Sequence, residues 1–226
     1  MSGGPWLMQI LKSENIDYAY LDIFELLLQD GIKVVRRNKT MIELPHVFLQ
    51  LTNPRARVVQ NPARKLSLSF LIGEFLWILS GSNRADFINF YNRRMQMFSD
   101  DGLTLYGAYG KRLVNQWRPT IDKLRNDSST RQAVMTILST EDANVVTKDF
   151  PCNTTLFFST DSNDALNLTV TVRSQDMLLG FPYDVFHWTL FLENMAKSCN
   201  LDVGSYMHLM MNCHYYATDE EKIRIY

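Results

Sequence analysis

Residues 173–196 read RSQDMLLGFPYDVFHWTLFLENMA, and this stretch decides the architecture. A β-rich run, Leu166 to Val172, leads into it and is closed by the polar tetrapeptide Arg173-Ser174-Gln175-Asp176. Gly180 and Pro182 mark the start of a long helix, predicted over Pro182 to Ser198. Val185, Trp188, Leu192, Met195 and Cys199 fall on one stripe of it, as in a helix with one buried face. Upstream, Thr154 to Ser159 pairs with Leu166 to Val172 as a predicted hairpin across the link DSND; downstream, Val203 to Met211 returns to strand.

Further out, helices are predicted over Tyr18 to Gln29, stopped at Asp30-Gly31, and over Ser67 to Leu79. A more polar helix is expected over Asp86 to Met97 and a short one over Pro119 to Asn126, with loop from Asp100 to Lys111. Met41 to Leu51 reads as a strand with Pro45 at a bulge or edge, and Ala133 to Ser139 as another. Several strands with few, long helices predict an α+β fold, helices packed on a mixed β-sheet, as a single domain over residues 1–226. Lys and Arg total 23 against 24 Asp and Glu, a net charge of -1, which argues against duplex nucleic acid or an anionic membrane as a chain-wide partner. An anionic ligand must then be held by a local arginine cluster. The N-terminal run MSGGPWLMQILKSENIDYAY lacks a signal-peptide pattern, and the apolar window Leu66 to Leu79 is too short for a bilayer. Cys152, Cys199 and Cys213 are too widely spaced for a disulfide framework or a zinc site, so no metal and a reducing, cytoplasmic setting are expected.

Four features carry potential chemistry. Cys152 in FPCNTT stands at the edge of an apolar strand; alone it reads as a small buried hydrophobe, and a nucleophile there needs positive charge nearby. The hairpin puts Arg173 beside it, and Arg173 with Ser174 makes a fork and a hydroxyl suited to a phosphate. Glu74 is the lone acid in LSFLIGEFLWILSG, either on a wet stripe or buried with a raised pKa fit for proton transfer. In NCHYY, alternation sets His214 and Tyr216 on one face, placed to bind a sugar hydroxyl or to sit as a core pair.

In order along the chain, these features resemble the thymidylate synthase superfamily. RSQDMLLGFPYD is similar to its RSxDxxLGxPFN helix-start signature, GEFLWILSG to its ELLWFLxG helix, and YGAYGKR to its YG loop. STRQAVMTIL is similar to its SRR strand and NCHYY to its DxHxY strand. The resemblance implies a homodimer joined sheet to sheet, 5,10-methylenetetrahydrofolate as co-substrate, and a pyrimidine nucleotide monophosphate as substrate. It implies Cys152 as the nucleophile adding to C6, Glu74 relaying protons, and Tyr109 assisting loss of the C5 proton. Arg37, Arg173 and Ser174 would hold the phosphate, joined by Arg131 from the partner chain, and His214 and Tyr216 the ribose. Asp176 and Gly180 would shape the folate and base pocket, Asp176 also serving catalysis, with Trp77 on the folate side.

Departures from the pattern refine the substrate. Asp184 stands where thymidylate synthases carry Asn. An ionised carboxylate only accepts, so it suits cytosine's amino group and opposes uracil O4, at about 1–3 kcal/mol. This resembles deoxycytidylate hydroxymethylases, and 5-hydroxymethylation of dCMP is the expected reaction. Alternatives are a thymidylate synthase methylating dUMP, a nucleotide-binding homologue with little catalysis, and Asp184 as a plain helix cap. Asn153 replaces the usual His and Gln132 the second Arg of SRR. Ten residues follow Tyr216, so the segment that closes over folate in the family is expected to be absent.

Overall fold

The computed structural model describes residues 8–225; residues 1–7, where the absence of a signal-peptide pattern was read, lie outside them. Eight strands form one mixed sheet in the order β1-β3-β8-β6-β5-β4, with β2 added to β3 and β7 to β8. The strands are β1 (Gln9–Ser13), β2 (Ile32–Arg36), β3 (Lys39–Leu51), β4 (Val134–Thr136), β5 (Asn153–Thr160), β6 (Leu166–Val172), β7 (Gln175–Asp176) and β8 (Val203–Tyr216). The helices are α1 (Ile16–Asp30), α2 (Leu68–Leu79), α3 (Ala85–Tyr91), α4 (Tyr109–Asn126), α5 (Phe181–Cys199) and α6 (Glu220–Ile223). The predicted α+β class holds.

The long helix predicted from the opening stretch is α5, whose stripe residues Val185, Trp188, Leu192 and Met195 are buried on β6 and β8. The hairpin is β5–β6, and its turn is tied by Asp161 Oδ1 accepting from the backbone N–H groups of Asn163 and Ala165. β6 and β7 follow one another along β8, so the chain breaks from the sheet only at Arg173-Ser174. Pro45 falls between the stretch of β3 paired to β2 and the stretch paired to β1, where no partner asks for its missing N–H. His46 beside it turns to a φ of 54° and the pairing with β8 skips it.

Four predictions need correction. α4 is one helix from Tyr109 through Pro119 to Asn126, not a loop and a short helix. Pro119 and Asn115, whose carbonyl it leaves without an N–H partner, are both exposed to water, while Leu113, Ile121 and Leu124 bury the opposite face. The predicted Asp86 to Met97 helix ends at Tyr91, because Asn92 turns its side chain onto the N–H of Arg94 and starts a 3-10 turn over Arg93–Phe98. The Ala133 to Ser139 strand is only Val134–Thr136. The short strands β1 and β2, both at the sheet's margin, were unforeseen. Among the described residues, no helix is long and apolar enough to cross a membrane.

One close approach sets where α4 begins. A Cβ on Gly110 would lie 2.2 Å from the carbonyl oxygen of Ile78 at the end of α2. Ordinarily Ala favours a helix by about 1 kcal/mol over Gly. Gly110→Ala should instead destabilise the fold by about 2 kcal/mol or more, read as a lower urea midpoint at unchanged slope. An unchanged or raised midpoint would show that α2 and α4 are not in contact there.

Candidate active site

Cys152 ends the segment that enters β5, and its carbonyl accepts from the backbone N–H of Arg173 at 2.9 Å. The Arg173 guanidinium is pinned by two carbonyls, Nε to Pro151 at 2.8 Å and Nη2 to Phe150 at 2.9 Å. That leaves Nη2 3.8 Å from the Cys152 sulfur, as the hairpin required. Burial nevertheless pushes the thiol up to about 11; Arg173 lowers it, while Asp184, Asp149 and Asp176 raise it further. The single guanidinium favours the thiolate but is outweighed by burial and nearby carboxylates.

Asp184 occupies the first turn of α5 but caps nothing; Gly180 is the N-cap and no side chain bonds the helix N-terminus. Its Oδ1 accepts from Asn153 Nδ2 and its Oδ2 from Gln175 Nε2, each at 3.0 Å. Burial pushes its pKa up to about 6 against those two donors. Asn153, fully buried, also donates from Nδ2 to the Tyr109 hydroxyl at 2.7 Å and accepts from the Trp188 indole at 3.1 Å. The Asn that replaces the family's His thus ties β5, α4 and α5 together.

Glu74 sits on α2, its Oε2 3.5 Å from His187 Nε2. Burial, then the charge of Asp184, pushes Glu74 up to about 8. Burial holds His187 down to about 3, so it is neutral, and its Nε2 also lies 3.2 Å from the Leu71 carbonyl. Desolvation, then Asp184 and Cys152, raises the Tyr109 hydroxyl well above its usual range. Thiol, phenol and two protonatable carboxyls share one electrostatic neighbourhood.

At the rim, Asp176 Oδ1 accepts from the backbone N–H groups of Leu178 (3.0 Å) and Leu179 (2.8 Å), shaping the turn into α5. His214 is buried and neutral, lowered to about 4 by burial, with Nδ1 2.9 Å from Asn212 Oδ1. Tyr216 lies edge-on to it at 5.8 Å, while Cys213 and Tyr215 point into the core, as alternation predicted. Arg37 lies in the left-handed turn between β2 and β3 and bears electrostatically on Tyr216, over whose ring Lys39 Nζ stands at 4.9 Å. Ser174 is half-buried next to Arg173. Among the described residues, no group of His, Cys, Asp or Glu is arranged for a metal.

A thymidylate synthase family model matches residues 18–225. The chain belongs to the thymidylate synthase family. It is 33% identical over 218 residues to a deoxyuridylate hydroxymethyltransferase of Bacillus phage SP01, covering 88% of this chain and 57% of that protein. It is 29% identical over 224 residues to one of Pseudomonas phage M6, covering 96% and 64% respectively. The chain therefore spans about three-fifths of these relatives' length. A thermostable thymidylate synthase A from Bacillus subtilis superposes with a TM-score of 0.80, at 21% identity over 93% of this chain and 83% of that one. That likeness speaks for the shared fold.

Against the family pattern, Cys152, Arg173, Tyr109, Glu74 and Asp184 come together, with Asp176, Ser174, Gly180, His214, Tyr216 and Arg37 around them. Two residues stand apart. Trp77 is buried in a satellite cluster with Phe70, Ile88 and Leu105, its indole donating to the Arg84 carbonyl at 3.1 Å. Arg131 is exposed between α4 and β4, on the side where Val134 pairs with Phe157, well along β5 from Cys152. Asn153, Gln175, His187, Tyr206 and His208 were not read as site residues. The one sequence cue to Asn153 was its departure from the family's His.

The raised carboxyls carry a pH signature. Glu74, Asp184 and Asp149 hold protons in the fold at pH values where the unfolded chain has lost them. Their stabilisation is full below about pH 4 and is lost as pH rises through about 6 and 8, at up to about 1.4 kcal/mol per pH unit per group. Glu74→Gln should flatten this decline and raise stability at pH 8 by roughly 1–3 kcal/mol, measured by urea unfolding at pH 5, 6.5 and 8. An unaltered slope would mean Glu74 ionises freely in the fold.

Proposed function

We propose that this chain catalyses folate-dependent hydroxymethylation at C5 of a pyrimidine deoxynucleotide monophosphate, with deoxyuridylate as substrate. The observation that carries the proposal is the meeting of Cys152, Arg173 and Asp184 in a family whose members similar to this chain include deoxyuridylate hydroxymethyltransferases.

Cys152 adds to C6 of the base, which makes C5 nucleophilic. Its high thiol pKa means that the proton must leave as charge is supplied at the sulfur; Arg173 is the group placed for this. Arg173 and Ser174 face the phosphate, with Arg37 from the β2–β3 turn and Arg131 from a second copy of the chain. His214, with Nδ1 turned to Asn212, keeps Nε2 as an acceptor for a ribose hydroxyl beside Tyr216. 5,10-Methylenetetrahydrofolate supplies the one-carbon unit. Asp176, whose Oδ1 is held by backbone N–H groups next to exposed Leu179, offers a fixed acceptor beside apolar surface, which suits a pterin. Glu74, poised near neutrality, takes up the C5 proton with the Tyr109 hydroxyl as relay and passes it to solvent. C5 bonds to the methylene carbon, tetrahydrofolate leaves from that carbon as water adds to it, and elimination of the Cys152 thiolate from C6 completes hydroxymethylation.

The acceptor clash expected between Asp184 and uracil disappears when Asp184 is protonated. Its O–H then donates to O4 and its other oxygen accepts from N3–H, as an Asn would. A pKa raised to about 6 before the base covers it supports that state. Deoxycytidylate remains the second reading: two amide donors already favour the ionised carboxylate, which takes cytosine's amino hydrogen.

With methylenetetrahydrofolate and C5-tritiated nucleotide, dUMP should release tritium and yield the 5-hydroxymethyl product without dihydrofolate. Cys152→Ser should lower the rate by roughly 10³ or more. Faster release from dCMP would establish the second reading. Thymidylate with dihydrofolate would establish methylation, and binding without release would leave a nucleotide-binding homologue.

A further inference from the structure

Behind Asp184 runs a line of buried polar groups that the reaction does not use. Gln175 on β7 places Oε1 2.8 Å from His208 Nε2, and His208 Nδ1 lies 2.6 Å from the Tyr206 hydroxyl, both residues being on β8. Tyr206 and His208 are fully buried and Gln175 is 2% exposed, so each polar atom must be satisfied inside the protein. The Asp184 carboxylate at one end is an acceptor, which decides every direction along the line. Gln175 must turn its NH₂ to Asp184 and its oxygen to His208. His208 must then donate from Nε2 and accept at Nδ1, and the Tyr206 hydroxyl must donate.

The second Gln175 N–H approaches the Asp176 carbonyl at 3.5 Å, so its amide has no spare hydrogen that would favour a flip. Gly180 leaves room for it: a Cβ there would lie 3.1 Å from Gln175 Nε2 and 3.7 Å from Asp184 Oδ2. On the other flank the Trp188 indole, a donor only, fixes Asn153 in the same sense. Both oxygens of Asp184 thus meet N–H donors from the protein, and what remains of their hydrogen-bonding capacity must face the site.

We propose that Gln175, oriented by His208 and Tyr206, is the positioning residue that gives Asp184 its discrimination between pyrimidine bases. Without the Gln175 donor the carboxyl turns on one remaining tether, and either base edge finds a rotamer to meet it. This rests on the nucleotide reading of the site, so its test uses binding rather than turnover.

Dissociation constants for dUMP and dCMP are measured by calorimetry on the full chain. In the wild-type chain they should differ, and Gln175→Met should bring their ratio toward one by at least about fivefold. Tyr206→Phe, which removes one hydroxyl and frees the His208 tautomer, should move it the same way by about two- to threefold and serves if Gln175→Met fails to fold. With Asp184→Ala as background, Gln175→Met should change the ratio less than twofold, since no group is left to position. Equal wild-type affinities, or a ratio that both variants leave unmoved, would overturn the inference alone. Binding of neither nucleotide would overturn the nucleotide reading and this inference with it.

Discussion

A half-buried, desolvated carboxylate in the first turn of α5 organises this molecule. Among the described residues no cation pairs with Asp184; its oxygens are met by two amides. Leaving a charge in such a place without donors costs several kcal/mol, so the elements supplying them cannot move independently. Asn153 comes from β5, Gln175 from β7, and Asp184 itself from α5. Asn153 also reaches Tyr109 on α4, and the Asp184 charge is felt by Glu74 on α2. The sheet and the helices above it are thereby held in one relation to Cys152.

The electrostatics follow from that choice. Asp149, Asp176 and Asp184, which bear on the thiol, and Glu74, which feels Asp184, all have raised pKa values, each with burial as its largest cause. Among the described residues, Arg173 is the guanidinium that reaches the sulfur, and backbone carbonyls hold it in place. At neutral pH the resting site keeps protons on Glu74 and on the thiol.

Much of this was readable in the sequence where local rules govern. The stripe on α5, the β5–β6 hairpin and the alternation in NCHYY depend on period and turn chemistry, and the hairpin alone was enough to bring Arg173 to Cys152. α4 was misread because Pro119 normally ends a helix, and only exposure of Asn115 and Pro119 shows why it does not. The relay from Tyr206 to Gln175 was out of reach. It depends on β7 adding to β8 in parallel beyond the end of β6, a register that the sequence of neither strand encodes.

The central claim is that Asp184, held by Asn153 and Gln175, meets the base edge. A crystal structure with bound deoxynucleotide measures this directly. It should place N3 of the base and its 4-substituent within about 3.2 Å of the two Asp184 oxygens, with C6 facing the Cys152 sulfur and both amide contacts intact. A base whose edge lies elsewhere, or an Asp184 rotated onto the N-terminal N–H groups of α5, would contradict the account.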